Sequence, residues 1–277
     1  MSADATVIIP AHDEAAPLGR LLAGIAPALD RLDVVVVANG CTDATADVAR
    51  AAGAVRVLEL DQASKRAAMN AGDAAARHPV RIYLDADVTM TPATLLALAA
   101  LLQRDDAVVA SPAVRIEQRG SSLPARAYQQ VWALTDYRLQ EHTGSGVFGL
   151  SAAGRARFGE FPDVIADDLF VRMLFVPEER VVSPGEPFTV FAPRTLRAQV
   201  GRLRRTMAGE LQLAERFPDL ERAPGARRRL IGRVARRPWV WPSFVVYAAA
   251  YAAGRSAARQ KLASGQTGVW ERDLSSR

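Results

Sequence analysis

Cysteine is almost absent from this sequence, and its scarcity excludes one class of protein. Cys41 is the single cysteine among 277 residues, so no disulfide can form within the chain. A small scaffold held together by disulfides is therefore excluded, and an unpaired thiol favours a reducing, cytoplasmic compartment. Because 49% of the residues are apolar, the chain can bury a core in one large or two small domains.

The sequence also lacks a recognisable membrane span. A spanning helix needs about 20 apolar residues, whereas the apolar segment 239–254 has 16 uncharged residues and contains Pro242 and Ser243. We predict a buried or interfacial helix here. The first residues lack the basic start and the uninterrupted apolar stretch of a secretory signal, so no signal peptide is predicted.

Lysine is rare, and the charges are unevenly distributed. Lys65 and Lys261 are the only lysines among 35 basic residues, which GC-rich codon usage explains. Residues 1–193 carry 17 basic and 24 acidic side chains, whereas residues 194–237 carry 13 arginines and 4 acids. The net charge of +5 therefore divides into an acidic front and a basic tail. This division predicts two surfaces with different partners.

Strand-like and helix-like segments alternate in the first half of the chain. Short β-branched runs predict strands at 6–10, 34–38, 55–60, 81–84 and 107–110. Alanine- and leucine-rich segments predict helices at 16–29, 42–52, 64–76 and 94–102, and a longer helix at 123–141. This order is typical of parallel βαβ units, so we predict an α/β fold with a mostly parallel central sheet flanked by helices.

Three of these strands end in polar clusters. The clusters are PAHDE (10–14), NGCTD (39–43) and DAD (85–87). Ligands of parallel sheets bind beyond the carboxyl ends of the strands, so three clusters at one edge predict one binding site. A turn and a helix cap explain any single cluster, but three clusters in register favour a site.

Asp85 and Asp87 close an apolar strand. Hard cations such as Mg²⁺ and Mn²⁺ take carboxylate oxygens as ligands, usually together with the phosphates of a bound nucleotide. One carboxylate can bind the cation while the other fixes a ribose or a bridging water. Acids are common where loops begin, but the position after a buried strand favours the metal interpretation.

Seven segments in order resemble a family 2 glycosyltransferase of the GT-A fold. They are PAHDE (10–14), NGCTDATADVA (39–49), KRAAMNAG (65–72), YLDADV (83–88), GSGVFGLSAAG (144–154), DVIADD (163–168) and QVGRLRR (199–205). No single segment is diagnostic, but their order is. The resemblance implies a nucleotide-diphospho-sugar transferase domain over residues 1–210. A basic and apolar helical C-terminal extension over 211–277 follows it.

The resemblance implies roles for individual residues around the donor. Six of them match the family's nucleotide-binding positions: Pro10, Ala11, Glu14, Asn39, Asp43 and Lys65. Asn39 stands where these enzymes commonly have an aspartate that contacts the base. Asp85 and Asp87 match the D-x-D pair, with Asp87 as the main ligand of Mg²⁺ or Mn²⁺.

The resemblance also implies a catalytic base. Asp168 matches the second acid of the family's E-D pair, the expected base, and Asp167 replaces the glutamate. Acids at a helix N-terminus complement the macrodipole in any case, but the D-x-D pair earlier in the chain favours catalysis. Gln199 and Arg202 match the motif Q-x-x-R-W, in which Leu203 replaces the tryptophan. This replacement weakens the analogy to processive polysaccharide synthases.

The basic tail favours an anionic partner. A run of arginines followed by an apolar stretch with Trp and Tyr is the pair of signals expected for peripheral attachment to an anionic membrane surface. Binding of donor or acceptor phosphates by these arginines is a second interpretation. No nucleic acid partner is expected, because no recognised motif accompanies the charge.

Together these features predict an enzyme on the cytoplasmic side of the membrane. It would move a sugar from a nucleotide-sugar donor to a hydroxyl acceptor, with inversion, and the tail favours a lipid-linked acceptor. Two alternatives stay open. One is a non-catalytic binding protein of the same fold. The other is a nucleotidyltransferase, which needs a glycine-rich phosphate loop near the first strand that PAHDEAAPLG does not offer.

Overall fold

The computed structural model describes residues 5–139, 144–220 and 226–264. The chain divides into two compact units. Unit 1 comprises Met1–Arg115, Thr143–Asp163 and Leu174–Val190, and unit 2 comprises Ile116–His142, Val164–Met173 and Phe191–Arg277. Unit 1 contains most of the sheet, and unit 2 is mainly helical.

In the described part of the chain, seven strands form one sheet in the order β3-β2-β1-β4-β6-β5-β7. They are β1 (Ala5–Ala11), β2 (Asp33–Asn39), β3 (Arg56–Leu60), β4 (Val80–Leu84), β5 (Val109–Glu117), β6 (Val147–Leu150) and β7 (Arg180–Phe191). β3, β2, β1 and β4 are mutually parallel, whereas β6 is antiparallel to β4 and to β5. The predicted α/β fold with a mostly parallel sheet is confirmed.

The helices of unit 1 are α1 (Ala15–Leu29), α2 (Thr45–Ala51), α3 (Lys65–Ala74), α4 (Pro92–Leu101) and α7 (Ala152–Arg155). Those of unit 2 are α5 (Leu123–Trp132), α6 (Asp136–Leu139), α8 (Asp167–Met173), α9 (Leu196–Arg216), α10 (Ala226–Ala235) and α11 (Trp241–Ala263). The division predicted at residue 210 lies within α9, and that domain division stays a prediction.

Buried β-branched residues form the strands next to the predicted site. The four valines of β2 are almost wholly buried, and such residues favour a pleated surface covered on both faces. α3 packs closely on β1 at Gly72, where a Cβ would overlap the Ile8 side chain. Because α3 follows a strand parallel to β1, it begins with Lys65 at the carboxyl edge of the sheet.

A buried ionic network fixes the other end of α3. The Asp73 carboxylate accepts hydrogen bonds from Arg81 Nε (3.0 Å), Arg155 Nη2 (2.9 Å) and Tyr83 Oη (2.8 Å). Burial and the adjacent Asp73 charge raise the pKa of Tyr83 well above its usual value, so the phenol remains a donor. Each of these partners is therefore a donor, and the network holds the C-terminal end of α3.

Several predicted elements differ from those in the structure. The helix predicted at 123–141 ends at Trp132, and the short helix α6 follows it. β7 is one continuous strand. β6 lies in the glycine-rich segment 144–154, where no strand is predicted. Its Gly149 admits Leu102, whose side chain a Cβ would overlap, and this close approach requires glycine inside a strand.

Unit 2 has its own apolar core between α5, α9 and α11. Tyr128 of α5 stacks on Tyr247 of α11 with ring centroids 4.9 Å apart, and Leu203 and Met207 of α9 complete this cluster. The helices α9 and α11 touch at Gly254, where a Cβ would lie 2.7 Å from the Leu203 Cβ. Among the described residues, no helix has the length and apolar character needed to span a membrane.

Candidate active site

Three polar clusters lie at one edge of the sheet in unit 1. They follow β1, β2 and β4, which are adjacent and parallel. The structure therefore brings the loop after Ala11, the loop after Asn39 and the Asp85–Asp87 turn to the same side. Parallel strands place their carboxyl ends together, and this edge is where ligands of such sheets bind.

Asp13 connects the first two of these loops. Its Oδ1 accepts hydrogen bonds from the Thr42 amide (2.5 Å), the Thr42 hydroxyl (3.1 Å) and the Asp43 amide (3.2 Å). Asp13 has a φ of 49°, a left-handed conformation that short polar side chains tolerate. This conformation turns the carboxylate toward the second loop, so the two loops hold each other in place.

Asp43 makes the reciprocal connection. One carboxylate oxygen accepts from the Ala15 amide (3.2 Å), and the other accepts from the amide (2.9 Å) and the hydroxyl of Thr45. Burial acts to raise the pKa of Asp43, but the hydrogen bonds from Thr45 and Ala15 outweigh it and lower the pKa. The Thr45 hydroxyl in turn accepts from the Glu14 amide (2.7 Å). The carboxylate thus stays charged while it joins α1 to α2.

The Asn39 side chain is 0% exposed and links neighbouring segments through hydrogen bonds. Its side-chain amide donates to the Ala11 carbonyl (2.8 Å) and accepts from the Ser64 amide (2.9 Å). His12 Nδ1 donates to the Asn39 carbonyl (2.8 Å). In this structure the Asn39 side chain is enclosed by protein, so it positions the loop rather than facing a ligand.

His12, Asp13 and Cys41 bring three potential metal-ligating atoms within 4.8 Å of one another. Each residue already has a partner within the loops, however. The Cys41 thiol lies 3.6 Å from the Ala11 carbonyl and accepts from the Asp13 amide at 3.5 Å. Burial raises the pKa of this thiol, which disfavours the thiolate that a metal requires. These contacts identify the group as a structural link between the loops.

The D-x-D residues lie at the end of β4. Lys65 Nζ is 3.1 Å from Asp85 Oδ1, and the Asp85 amide donates to the Gly146 carbonyl (2.8 Å). Gly146 has a φ of 100°, and a Cβ here would lie 3.2 Å from Asp85 Oδ2 and 2.9 Å from Val88 Cγ1. Glycine at 146 therefore leaves the second oxygen of Asp85 room for a ligand.

This donor set fits a hard divalent cation. Asp85 and Asp87 are both partly exposed at the sheet edge, and both offer carboxylate oxygens, the ligands that Mg²⁺ and Mn²⁺ prefer. The space beside Gly146 keeps one Asp85 oxygen accessible. Two carboxylates suffice for such ions when waters and substrate phosphates supply the remaining ligands.

Asp167 and Asp168 begin α8 in unit 2. The segment before them is fixed to α9, because the Ile165 amide donates to Gln212 Oε1 (2.8 Å). A Cβ on Gly209 would lie 2.7 Å from the Ala166 Cβ, so glycine is needed for this close contact. The Asp168 Oδ1 accepts from the Leu169 amide (2.8 Å). The pair thus sits on a rigid support and remains partly exposed.

The residues that match the Q-x-x-R-W motif form the first turns of α9. Gln199 is buried, and its Oε1 accepts from Gln129 Nε2 of α5 (3.0 Å). Arg202 is partly exposed. Leu203 is 9% exposed and faces Gly254. The leucine that replaces the motif's tryptophan therefore belongs to the core of unit 2.

Sequence reasoning missed two residues of the site edge, Asp13 and Thr45. Asp13 lies inside the recognised PAHDE segment, but only its positive φ directs the carboxylate to the second loop. Thr45 is the buried partner of both Glu14 and Asp43. The helix predicted from residue 42 begins instead at Thr45, because residues 42 and 43 serve the loop contacts. The only sequence signal for these two residues is that small polar residues are frequent in the segments where they lie.

We expect Asp13→Ala to loosen the two loops. Three donors lose their acceptor, so the free energy of unfolding should fall by about 1–3 kcal/mol, with a further small loss because alanine disfavours a positive φ. Asp13→Asn keeps an acceptor oxygen and should lose less. Urea denaturation of both variants, with exposed Asp30→Ala as control, measures the difference. Equal stability of Asp13→Ala and the wild type would contradict the assigned connection.

Comparison with known proteins identifies relatives of this chain. A family model described as glycosyl transferase family 2 matches residues 6–158. The match includes the three polar clusters and Gly146 and ends before Asp167. Comparison with curated protein sequences gives no match.

Solved structures share the fold. The mannosyltransferase PcManGT from Pyrobaculum calidifontis, in complex with GDP-Man and Mn²⁺, has a TM-score of 0.62 at 24% identity, covering 95% of this chain and 79% of that chain. A mycobacterial protein has a TM-score of 0.56 at 19% identity, covering 80% and 78%. S. aureus TarS 1–349 in complex with UDP has a TM-score of 0.52 at 16% identity, covering 96% and 92%. At these identities the similarity shows the fold.

Proposed function

Because this chain belongs to glycosyl transferase family 2, we propose that it moves a hexosyl group from a nucleotide-diphospho-sugar to a hydroxyl acceptor with inversion of configuration. One observation carries the proposal. The cross-linked loops after β1 and β2 and the Asp85–Asp87 turn lie on adjacent strands at one sheet edge. This arrangement offers a nucleotide cradle beside a pair of carboxylates.

The donor is assigned to the loops of unit 1. Pro10 and Ala11 are the buried last residues of β1, Glu14 ends the loop that follows them, and Asp43 lies in the second loop. The two cross-linked loops form a preorganised surface for the nucleotide. Preorganised loops lose little conformational entropy on binding. Lys65 is partly exposed beside Asp85, and its ammonium group is suited to neutralise the charge of a diphosphate.

Asp87 and Asp85 are proposed to hold Mg²⁺ or Mn²⁺. Such an ion, when bound, neutralises the charge that develops on a diphosphate leaving group. The donor set fits it, as the partly exposed carboxylates and the space beside Gly146 indicate. The P. calidifontis mannosyltransferase was solved with GDP-Man and Mn²⁺, which supports a nucleotide-sugar and a divalent cation as ligands here.

The acceptor side is assigned to residues of unit 2. Asp168 is proposed as the general base that removes the proton from the acceptor hydroxyl, with Asp167 as the adjacent acid of the pair. A positioned base contributes about 10²- to 10⁴-fold to the rate. Arg202 is proposed to bind donor phosphate. These roles rest on the family resemblance and on the rigid attachment of α8 to α9.

The test is a thermal-shift screen of UDP-, GDP- and dTDP-sugars with Mn²⁺ or with EDTA, followed by turnover assays. A donor at 100 times its Kd stabilises a protein by about 2.7 kcal/mol, so one donor should raise the Tm by several degrees with Mn²⁺ and less with EDTA. The matching nucleoside monophosphate is the control. No shift with any donor would favour a non-catalytic scaffold, and pyrophosphate release from a nucleoside triphosphate and a sugar phosphate would favour a nucleotidyltransferase.

A further inference from the structure

We propose that one face of unit 2 docks on an anionic lipid bilayer. This docking face consists of an apolar part, with Ile231, Trp239, Trp241 and Val245, and a basic part, with Arg227, Arg228 and Arg236. It lies on α10, on the turn Pro238–Val240 and on the first half of α11.

Large apolar side chains are concentrated on this face. Five of the eight exposed large hydrophobic residues in the described chain lie between residues 231 and 251. Trp239 is 70% exposed and Val245 is 69% exposed. Exposed apolar residues are ordinary when scattered, but a contiguous group marks an interaction site. Tryptophan in particular favours the interface between lipid and water, where its ring is apolar and its N–H is wet.

The arrangement of α11 shows that this face is opposite the core. Tyr247, Ala250, Gly254 and Ala258 are buried toward the other helices of unit 2. Trp241, Val245, Ala248 and Ala252, at spacings of four, three and four residues, form an exposed stripe on the other side. The stripe continues with exposed Arg255 and Arg259. The exposed stripe of α11 is therefore apolar along the first turns of the helix, which belong to the docking face, and basic along the last.

The positive charge of residues 226–264 is complementary to an anionic surface. Residues 226–264 contain nine basic residues and no acid. Arg229 and Arg233 pair with Asp136, whereas Arg227, Arg228 and Arg236 form no ion pair with any residue that the structure describes. Three exposed arginines thus remain available in the same segment as the two exposed tryptophans. Stable peripheral attachment takes two such signals together, an apolar insertion and a basic patch.

A lipid surface explains this face better than two other partners. A second copy of the chain, in a symmetric contact, would bring two sets of arginines together without an acid of the segment to compensate them. Nucleic acid would use the arginines and the rings of Trp239 and Trp241, but it leaves the aliphatic Ile231 and Val245 in water, whereas a bilayer takes up all four apolar side chains. Where the proposed glycosyl transfer holds, docking of this kind favours a lipid or lipid-linked acceptor presented at the membrane.

The experiment measures binding of the full chain to sedimented vesicles. Vesicles of phosphatidylcholine with 30% phosphatidylglycerol are compared with pure phosphatidylcholine at 50 and 500 mM NaCl. We expect binding to the anionic vesicles at least tenfold stronger than to the neutral ones, and weaker in high salt because the charges are screened. Equal binding to both vesicles at both salt concentrations would overturn the proposal.

Substitutions on the docking face, compared with matched substitutions on unit 1, test which surface contacts the bilayer. Each arginine near an anionic leaflet contributes about fivefold to the partition coefficient, so Arg227→Gln/Arg228→Gln/Arg236→Gln should bind about 100-fold more weakly. The control Arg20→Gln/Arg77→Gln/Arg115→Gln removes the same charge from exposed positions of unit 1 and should change binding less than threefold. Trp239→Ala should weaken binding about tenfold, with Val182→Ala, an exposed apolar residue of unit 1, as control. An equal loss in test and control variants would overturn the assignment.

Two further readouts separate the alternatives. Light scattering at micromolar protein concentration detects a dimer; a dimer that Trp239→Ala dissociates, without vesicle binding, would assign the face to a second copy and overturn the proposal. The vesicle assay contains no nucleotide-sugar. Loss of membrane binding is therefore distinguishable from failure of the proposed glycosyl transfer.

Discussion

Asp87→Asn is expected to lower kcat/KM for sugar transfer by about 10³-fold or more, which corresponds to about 4 kcal/mol of transition-state stabilisation. The substitution keeps the shape of the side chain and removes its negative charge, so the divalent cation would lose the main protein ligand proposed for it. The Asp87 side chain is partly exposed at the end of β4, and the change should leave the fold intact. Turnover of the donor found in the screen measures the effect.

A second readout distinguishes a lost metal ligand from a structural defect. In the wild type the thermal shift produced by the donor should depend on Mn²⁺, whereas in Asp87→Asn the shifts with Mn²⁺ and with EDTA should coincide. Asp30→Asn removes an exposed acid beyond α1 and should retain both activity and Mn²⁺ dependence. Full activity of Asp87→Asn would refute the role assigned to this carboxylate.

The two acids of the D-x-D pair should differ in their effect. Asp85 contacts Lys65 at 3.1 Å, so Asp85→Asn removes the partner of a lysine as well as a ligand. It should therefore weaken donor binding more than it changes Mn²⁺ dependence, whereas Asp87→Asn should do the reverse. Lys65→Gln should reproduce the binding defect of Asp85→Asn if the ion pair orients the lysine toward the donor.

Asp168→Asn is expected to lower kcat by about 10²- to 10⁴-fold, the usual contribution of a general base. Asparagine retains hydrogen bonding but cannot accept the proton of an acceptor hydroxyl at neutral pH. Affinity for the donor should stay within threefold of the wild type, because Asp168 is not among the residues proposed to bind the donor. Single-turnover rates and calorimetric Kd values measure the two quantities separately.

Glu215→Gln is the matched control for Asp168→Asn. Glu215 is an exposed acid on α9, the helix that supports α8, and its replacement should leave kcat within twofold. The kcat of Asp167→Asn should lie between those of Asp168→Asn and Glu215→Gln if the two aspartates act together. A wild-type kcat in Asp168→Asn would assign the base to another residue, and an equal loss in Glu215→Gln would indicate a general defect of unit 2.

The sheet edge was predictable from sequence because polar clusters directly follow apolar strand runs. Parallel strands necessarily place the segments after Ala11, Asn39 and Leu84 together, so residue order alone brings these clusters to one edge. The orientation of each side chain was not predictable. The Asn39 side chain is buried. The Asp13 side chain joins the two loops, because the left-handed backbone at residue 13 directs its carboxylate to the second loop.

Glycines account for most of the remaining differences between sequence and structure. Gly149 lies in a strand and Gly146 lies beside Asp85, yet both occur in the same glycine-rich segment, for which no strand is predicted. A glycine that permits close packing and a glycine that permits a turn are identical in sequence, and the neighbour that fills the space decides between them. The residues next to Gly72, Gly149 and Gly209 are distant along the chain.

Helix α9 contacts both parts of unit 2 for which a role is proposed. Near its middle, Gly209 and Gln212 hold the segment before Asp168, and one or two turns earlier Leu203 touches Gly254 of α11. The six residue steps from Leu203 to Gly209 span about 9 Å of helix axis. If α11 rests on a bilayer, this helix acts as a rigid spacer that sets the height of the Asp168 carboxylate above the lipid headgroups. Acceptors whose hydroxyl extends to that height would be favoured over longer or shorter ones.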